Sequence, residues 1–359
     1  MAFEDGPLAF ATLVRTSMEV DGEWVPDPIY GGQIQARSVD LLDQLRGHTD
    51  AKPELPAEAE PHVEWVSETF RYPDGREVEL RAPRVRLERL GYGPLDARSQ
   101  LGLRHAPSLH GLGLVDRIPT ERLAVRADPE DADGDGVSGR LPAGRFGWKG
   151  QIPTLREQIA DAFRNDIGIT SRLRPEPPCT PAQTACLAGP HGDSMEEGHE
   201  LSEALMDLVE GFVADIGVPP RRVKDEERAR TGKAAFLRAG CAACHVPEAR
   251  TGADAEHPYL SEQVFRPYSD FLLHDLGPGL AETRRVGNAE GAEWRTAPLW
   301  GVGWAFRVNR RTGLLHDGRA RSVEEAILWH QGEALGARTR FVASSAAERE
   351  ALVDFVDSL

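Results

Sequence analysis

The chain is poor in sulfur and in clustered positive charge, and it contains no long apolar run. Four cysteines in 359 residues are too few for a disulfide framework. A formal charge of −16 argues against a nucleic-acid or anionic-membrane surface, which needs clustered Lys and Arg to displace counterions. No hydrophobic stretch approaches bilayer-spanning length, and the opening MAFEDGPLAF lacks a charged segment followed by an apolar one, so neither a membrane span nor an export signal is expected from it. What is there, 40% hydrophobic and 28% charged residues, suits a globular protein with material for two domains.

Strand signals are also scarce. From His62 to Leu90 apolar and polar residues alternate around PDG, which predicts a β-hairpin turning near Asp74 and Gly75. Helical periodicity predicts helices over 154–163, 196–216, 225–240, 322–330 and 346–359, with GGQIQARSVDLLDQL as one further candidate. Ser322 followed by Glu325 reads as a capping box. VPPRRVK (218–224) interrupts the pattern, and the chain divides there into 1–222 and 223–359.

The cysteines fall into two close pairs. Cys179 and Cys186 lie in a Pro-rich loop where two thiols can meet, which predicts a local disulfide formed in an oxidising compartment. The other pair opens CAACH (241–245), and C-x-x-C-H is the attachment signal of covalent haem c. Two thiols at this spacing match the two vinyl groups on one haem edge, and the imidazole of His245 then lies under the iron. A thioredoxin-like pair would want a βαβ context, and a zinc site would want a second C-x-x-C. All four methionines precede the motif, so no downstream methionine ligates the opposite face. His257, His274, His316 and His330 are the candidates from the same lobe.

The segment WKGQIPTLREQIADA from Trp148 aligns without gaps with HDGRARSVEEAILWH from His316. It pairs Gly150 with Gly318, Thr154 with Ser322, Glu157 with Glu325 and Ala162 with His330. RHAPSLHGLG from Arg104 matches RTAPLWGVG from Arg295 in the same order, with one residue gained in the first copy, which points to an internal duplication.

With PIYGGQIQ, RHAPSLHGLGLVDRIP, DPEDADGDGVSGR, GRFGWKG, NDIGITS, GCAACH, LLHDLGPGL, EWRTAPLWGVG and LHDGRARSVEEAILWHQGEA, nearly the whole chain resembles the di-haem oxidoreductases of the bacterial cytochrome c peroxidase superfamily. Its nearest likeness is to the subfamily described as peroxidases or thiol oxidoreductases. The resemblance implies a mainly α fold of two cytochrome c-like lobes with a small β-hairpin insertion in the first. It implies haem held by Cys241, Cys244 and His245, with His330 as second axial ligand, and an open first-haem face at Ala162 where peroxide or another small oxidant reacts. Gln158 matches a glutamine of the family's peroxide pocket. The pocket's acidic residue is not matched, since Gly168 occupies its place, and Asp166 is a nearby substitute. A small cytochrome or cupredoxin is the implied electron donor, and the periplasm the implied location. The alternative is a non-catalytic mono-haem electron-transfer cytochrome.

Two features stand apart from the pattern. The family carries another C-x-x-C-H near its N-terminus, whereas no cysteine here precedes Cys179, and the expectation is that the sequence begins late. Asp131, Asp133 and Asp135 occupy the first, third and fifth places of a calcium loop with Gly136 at its turn, but the twelfth place is Pro142. Weak calcium binding and a solvated acidic turn both remain open.

Overall fold

The computed structural model describes residues 6–7, 12–36, 57–188, 196–309 and 312–359. In Thr12–Val20, Val14, Thr16 and Met18 are buried at alternate positions, the period expected of a strand with one face on a core. This strand lies between Glu23–Val25 and Gln100–His105 in an antiparallel sheet. The hairpin strands Glu60–Arg71 and Glu77–Glu88 pair along their full length, and Gly75, at φ 86°, supplies the left-handed turn residue that other side chains resist. Tyr30, Ile34, Val63 and Leu103 close a core beneath the two sheets.

The expectation of a mainly α protein is wrong: helix makes up 29% of the described residues and strand 20%, in several small antiparallel sheets. The reason is the length of the ladders. Ala249–Arg250 pairs with Val264–Phe265, and Leu273–Asp275 pairs with Glu293–Arg295, runs too short to show a period of two. Thr12–Val20 did carry an alternation, blurred by the polar Thr16 on its inner face. The helices form at Leu155–Ile167, Glu203–Ala214, Glu226–Ala239, Val323–Trp329 and Ala346–Asp357. Of the candidate helix beginning at Gly31, residues 31–36 are not helical and the rest lies outside the described residues. The capping box at Ser322 is half made. Its hydroxyl accepts from the Glu325 amide, but the Glu325 carboxylate turns to Arg321.

The duplication is visible in the backbone. Phe146 bridges Ile152 and, in the same register, Leu314 bridges Ala320. Gly147 and Leu315 take φ of 80° and 69°, and Gly150 and Gly318 take 60° and 74°. Each bridge leads into a helix capped by a hydroxyl, Thr154 or Ser322, whose first residue, Leu155 or Val323, is buried. The second match behaves alike. Gly111 and Gly301, at φ 70° and 72°, precede the short helices Leu112–Asp116 and Val302–Val308. Gly113 then packs on the Ala214 carbonyl and Gly303 on the Asp357 carbonyl, each too closely for a Cβ. One apolar cluster gathers around Leu155, Ile159, Met206 and Trp300. A second gathers around Phe236, Leu328, Trp329, Phe341 and Phe355, and Tyr72 and Leu80 of the long hairpin pack into it.

Candidate cofactor site

Helix Glu226–Ala239 is capped by Asp225 and stops at Gly240, whose φ of 84° ends it in the left-handed conformation. The chain then tightens into a short 3-10 turn, Cys241–Ala243, and the His245 amide donates to the Cys241 carbonyl at 2.9 Å. This turn brings the two free thiols and the imidazole to one place. His245 Nδ1 lies 2.9 Å from the Tyr268 carbonyl, which fixes Nδ1 as donor and leaves Nε2 with a free lone pair.

His330 comes from a different element. Helix Val323–Trp329 ends there as the backbone turns extended, and His330 Nδ1 lies 2.6 Å from the Ala326 carbonyl, so its Nε2 is free in the same way. The two rings stand 6.5 Å apart, centroid to centroid. Two imidazoles on opposite sides of one metal, with metal–nitrogen bonds of about 2 Å as zinc sites show, would have centroids about 6 Å apart. The residues therefore fit a bis-imidazole iron beside two thiols. Burial lowers His245 to about 4 and lowers His330, so both rings are neutral and able to ligate at physiological pH. Burial also pushes the Cys241 thiol up to about 12 and raises Cys244.

The loop that supplies the Tyr268 carbonyl is strained. Tyr268 and Phe271 hold φ of 52° and 60°, in the left-handed region that bulky side chains avoid, at a cost of about 1–3 kcal/mol each. Backbone bonds hold this loop along the motif: the Ser269 amide donates to the Val246 carbonyl and the Asp270 amide to the Cys244 carbonyl, both at 2.9 Å.

His274 is buried beside Cys244, its Nδ1 3.6 Å from the Sγ atom. Asp270 holds its Nε2 at 2.9 Å and Glu333 its Nδ1 at 2.6 Å. Burial opposes a charge there, but hydrogen bonds to Asp270, Cys244 and Glu333 outweigh it and raise His274 to about 12. Asp270 and Glu333 were not singled out in the sequence. Asp270 stands four positions before His274, whereas nothing marks Glu333, 59 positions away.

The other histidines go elsewhere. His257 meets Arg117 and Asp254, and His316 stacks on Trp294 at 3.6 Å. Gln158 and Asp166 share helix Leu155–Ile167 but stand eight residues apart, about 12 Å along its axis, so the structure does not bring them together. Asp166 accepts a hydrogen bond from Gln33 at 3.0 Å. Asp131, Asp133 and Asp135 each accept from an amide of their own loop, and Asp128 rather than Asp135 groups with the first two. Cys179 and Cys186 form a disulfide. Among the described residues no helix is long and apolar enough to cross a membrane.

A sequence comparison with curated proteins finds no match. Among solved structures, a hydrazine synthase chain from Kuenenia stuttgartiensis, studied under xenon pressure, is similar with a TM-score of 0.28 and 14% identity. That match covers 50% of this chain and 62% of the other, less than two thirds of its length, and a likeness so slight carries no argument. The family described as "Di-haem oxidoreductase, putative peroxidase" matches residues 15–359. This chain belongs to the di-haem oxidoreductase family.

Proposed function

We propose that the chain is a c-type cytochrome oxidoreductase in which Cys241 and Cys244 hold a haem covalently while His245 and His330 ligate its iron. The observation that carries this reading is the pair of imidazoles with centroids 6.5 Å apart, each with Nδ1 tied to a carbonyl, beside the two thiols of C-x-x-C-H. Once bound, the haem supplies one-electron redox chemistry. The chain does the orienting. The Tyr268 and Ala326 carbonyls fix the tautomer and plane of each ring, and burial keeps both rings neutral. His274, clamped by Asp270 and Glu333, sets a positive charge beside Cys244.

The electron donor in this reading is a small cytochrome or cupredoxin, and the terminal oxidant is peroxide or another small oxidant. Gln158 and Asp166 are the pocket residues of the first lobe, and residues 1–222 and 223–359 are the two lobes. Thioether formation and the Cys179–Cys186 disulfide both suit the periplasm. A second reading, an electron carrier without catalytic activity, draws on the separation of Gln158 from Asp166 and the engagement of Asp166 by Gln33.

A pyridine haemochrome assay on protein made with haem-maturation machinery tests the first reading. One haem per chain, surviving acid–acetone extraction, is expected; a band lost on extraction would overturn covalent attachment. Steady-state peroxide turnover then separates the enzyme from the carrier.

A further inference from the structure

The long hairpin reaches across to the helix that carries His330. Its second strand, Glu77–Glu88, meets the segment leading into that helix in opposite order. Arg81 Nε donates to the Arg319 carbonyl at 3.0 Å, and Arg321 donates to Glu79, through Nη2 to its carbonyl at 2.5 Å and through Nη1 to its carboxylate at 3.3 Å. The turn of the hairpin then holds the helix itself. Tyr72 Oη donates to Glu324 Oε1 at 2.8 Å, and Arg76 Nη2 donates to the same oxygen. Asp74, between them, accepts from Arg349 of the last helix, whose guanidinium lies 4.2 Å over the Tyr72 ring. Tyr72 and Leu80 also share an apolar cluster with Val323, Leu328 and Trp329. On the first strand, the Phe70 ring lies 5.2 Å from the Arg338 guanidinium, one of the charges that act on His330.

A helix of seven residues does not hold by itself in water, because nucleating its first turn costs more than so few further bonds return. It persists through what grips it. The approach and first turn of Val323–Trp329 are held at Arg319, Arg321 and Glu324, in each case by a hairpin residue. The far end is His330, whose Nδ1 is tied to the Ala326 carbonyl of the same helix. Loosening the hairpin's grip therefore frays a helix about two turns long, and with it the carbonyl that orients the imidazole.

We propose that residues 60–88 are a clamp that keeps His330 on the haem iron, with Tyr72 and Arg76 as its positioning residues. The hairpin thereby governs how readily a small exogenous ligand replaces that imidazole. The proposal rests on the haem reading and gives a function to an element that contributes none of the cofactor's own ligands.

The test is stopped-flow binding of cyanide to the ferric, haem-loaded full chain, where the rate at saturating cyanide reports how fast His330 leaves the iron. Tyr72→Phe combined with Arg76→Gln removes both donors to Glu324. It should raise that rate at least about tenfold, the equivalent of one hydrogen bond to a charged group, while the resting spectrum stays low-spin. Gly113→Ala, which disturbs the first copy's short helix instead, should leave the rate unchanged. A change of no more than about twofold in the double variant, or an equal rise in Gly113→Ala, would overturn the proposal. His330→Ala separates the clamp from the haem reading. If it abolishes the slow step while the hairpin variants match the unaltered chain, the clamp alone fails; if it leaves the rate as it was, His330 is no ligand and both fail. Should the double variant not fold, Arg76→Gln alone, on a side chain 47% exposed, decides, with a rise of about threefold expected.

Discussion

The two copies of the bridge-and-helix unit share a backbone and differ in what they carry inward. In the first, Trp148 and Lys149 open the unit and helix Leu155–Ile167 runs on past Ala162. In the second, His316 and Asp317 take the opening places, and the helix stops at Trp329 so that His330 leaves it in an extended conformation. They meet at His105, whose carbonyl accepts from Trp148 Nε1 and whose amide donates to the His316 carbonyl. The scaffold is therefore set by left-handed turn positions and capped helix starts, and the chemistry by one or two side chains placed on it. An imidazole with a free Nε2 is presented where the helix ends early.

The sharpest way to break the comparison is His330→Ala, which gives the second copy the alanine of the first. Covalently bound haem should remain at one per chain, since the thioethers do not depend on residue 330. The ferric spectrum should change from low-spin bis-imidazole to high-spin, and optical and paramagnetic-resonance spectra read the change. An unchanged low-spin spectrum would remove His330 from the site.

The opposite charges of Lys149 and Asp317 come next. Burial pulls Lys149 from its ordinary 10.5 down to about 7, against the attraction of Glu282. Between those values the unfolded chain holds a proton that the folded chain has released. Stability from this group therefore rises with pH across the window and is lost as pH falls through about 7. For Asp317, burial would raise the carboxyl, but His316 and Arg319 more than offset it and the net shift is downward. Its contribution is present above the ordinary carboxylate range and is lost only in acid. Lys149→Met should flatten the rise in denaturant-measured stability between about pH 7 and 10, on the order of a few kcal/mol, whereas Asp317→Asn should lower stability throughout the neutral range and flatten the acid limb.

The sequence made much of this legible, for reasons that differ from part to part. CAACH and the gap-free alignment of two segments are local patterns, and local patterns survive reading in one dimension. The hairpin at Asp74–Gly75 was readable because its strands are 12 residues each and alternate. The short ladders at Leu273–Asp275 and Glu293–Arg295 were not, because three residues cannot show a period. Glu333 was missed since the fold brings it onto the His274 imidazole from 59 positions away, and Asp270, although only four positions before His274, forms no recognised motif with it.

The glycines under the short helices test whether the second match is structural. A Cβ at Gly113 or Gly303 would collide with the carbonyl of Ala214 or Asp357. Gly113→Ala and Gly303→Ala should each lower stability by about 1–3 kcal/mol, as overpacking does, with similar falls in melting temperature. Gly211, in the helix Glu203–Ala214 with nothing within 4 Å of its Cβ position, is the control: Gly211→Ala should stabilise by up to about 1 kcal/mol.

The smallest effects lie at the caps, and they separate the copies in kind. Thr154 Oγ1 accepts from the Glu157 amide at 3.2 Å and donates to the Glu157 carboxylate at 2.9 Å. Ser322 makes only the first of these bonds, because Arg321 takes the Glu325 carboxylate. Either residue replaced by alanine should cost about 1 kcal/mol in thermal or denaturant unfolding. The consequences differ because one helix has 13 residues and the other 7, so a frayed first turn is a larger fraction of the second. His330 hangs from the end of that shorter helix through the Ala326 carbonyl. Ser322→Ala should therefore raise the high-spin fraction on warming before global unfolding, and Thr154→Ala should leave the spectrum untouched until the chain melts.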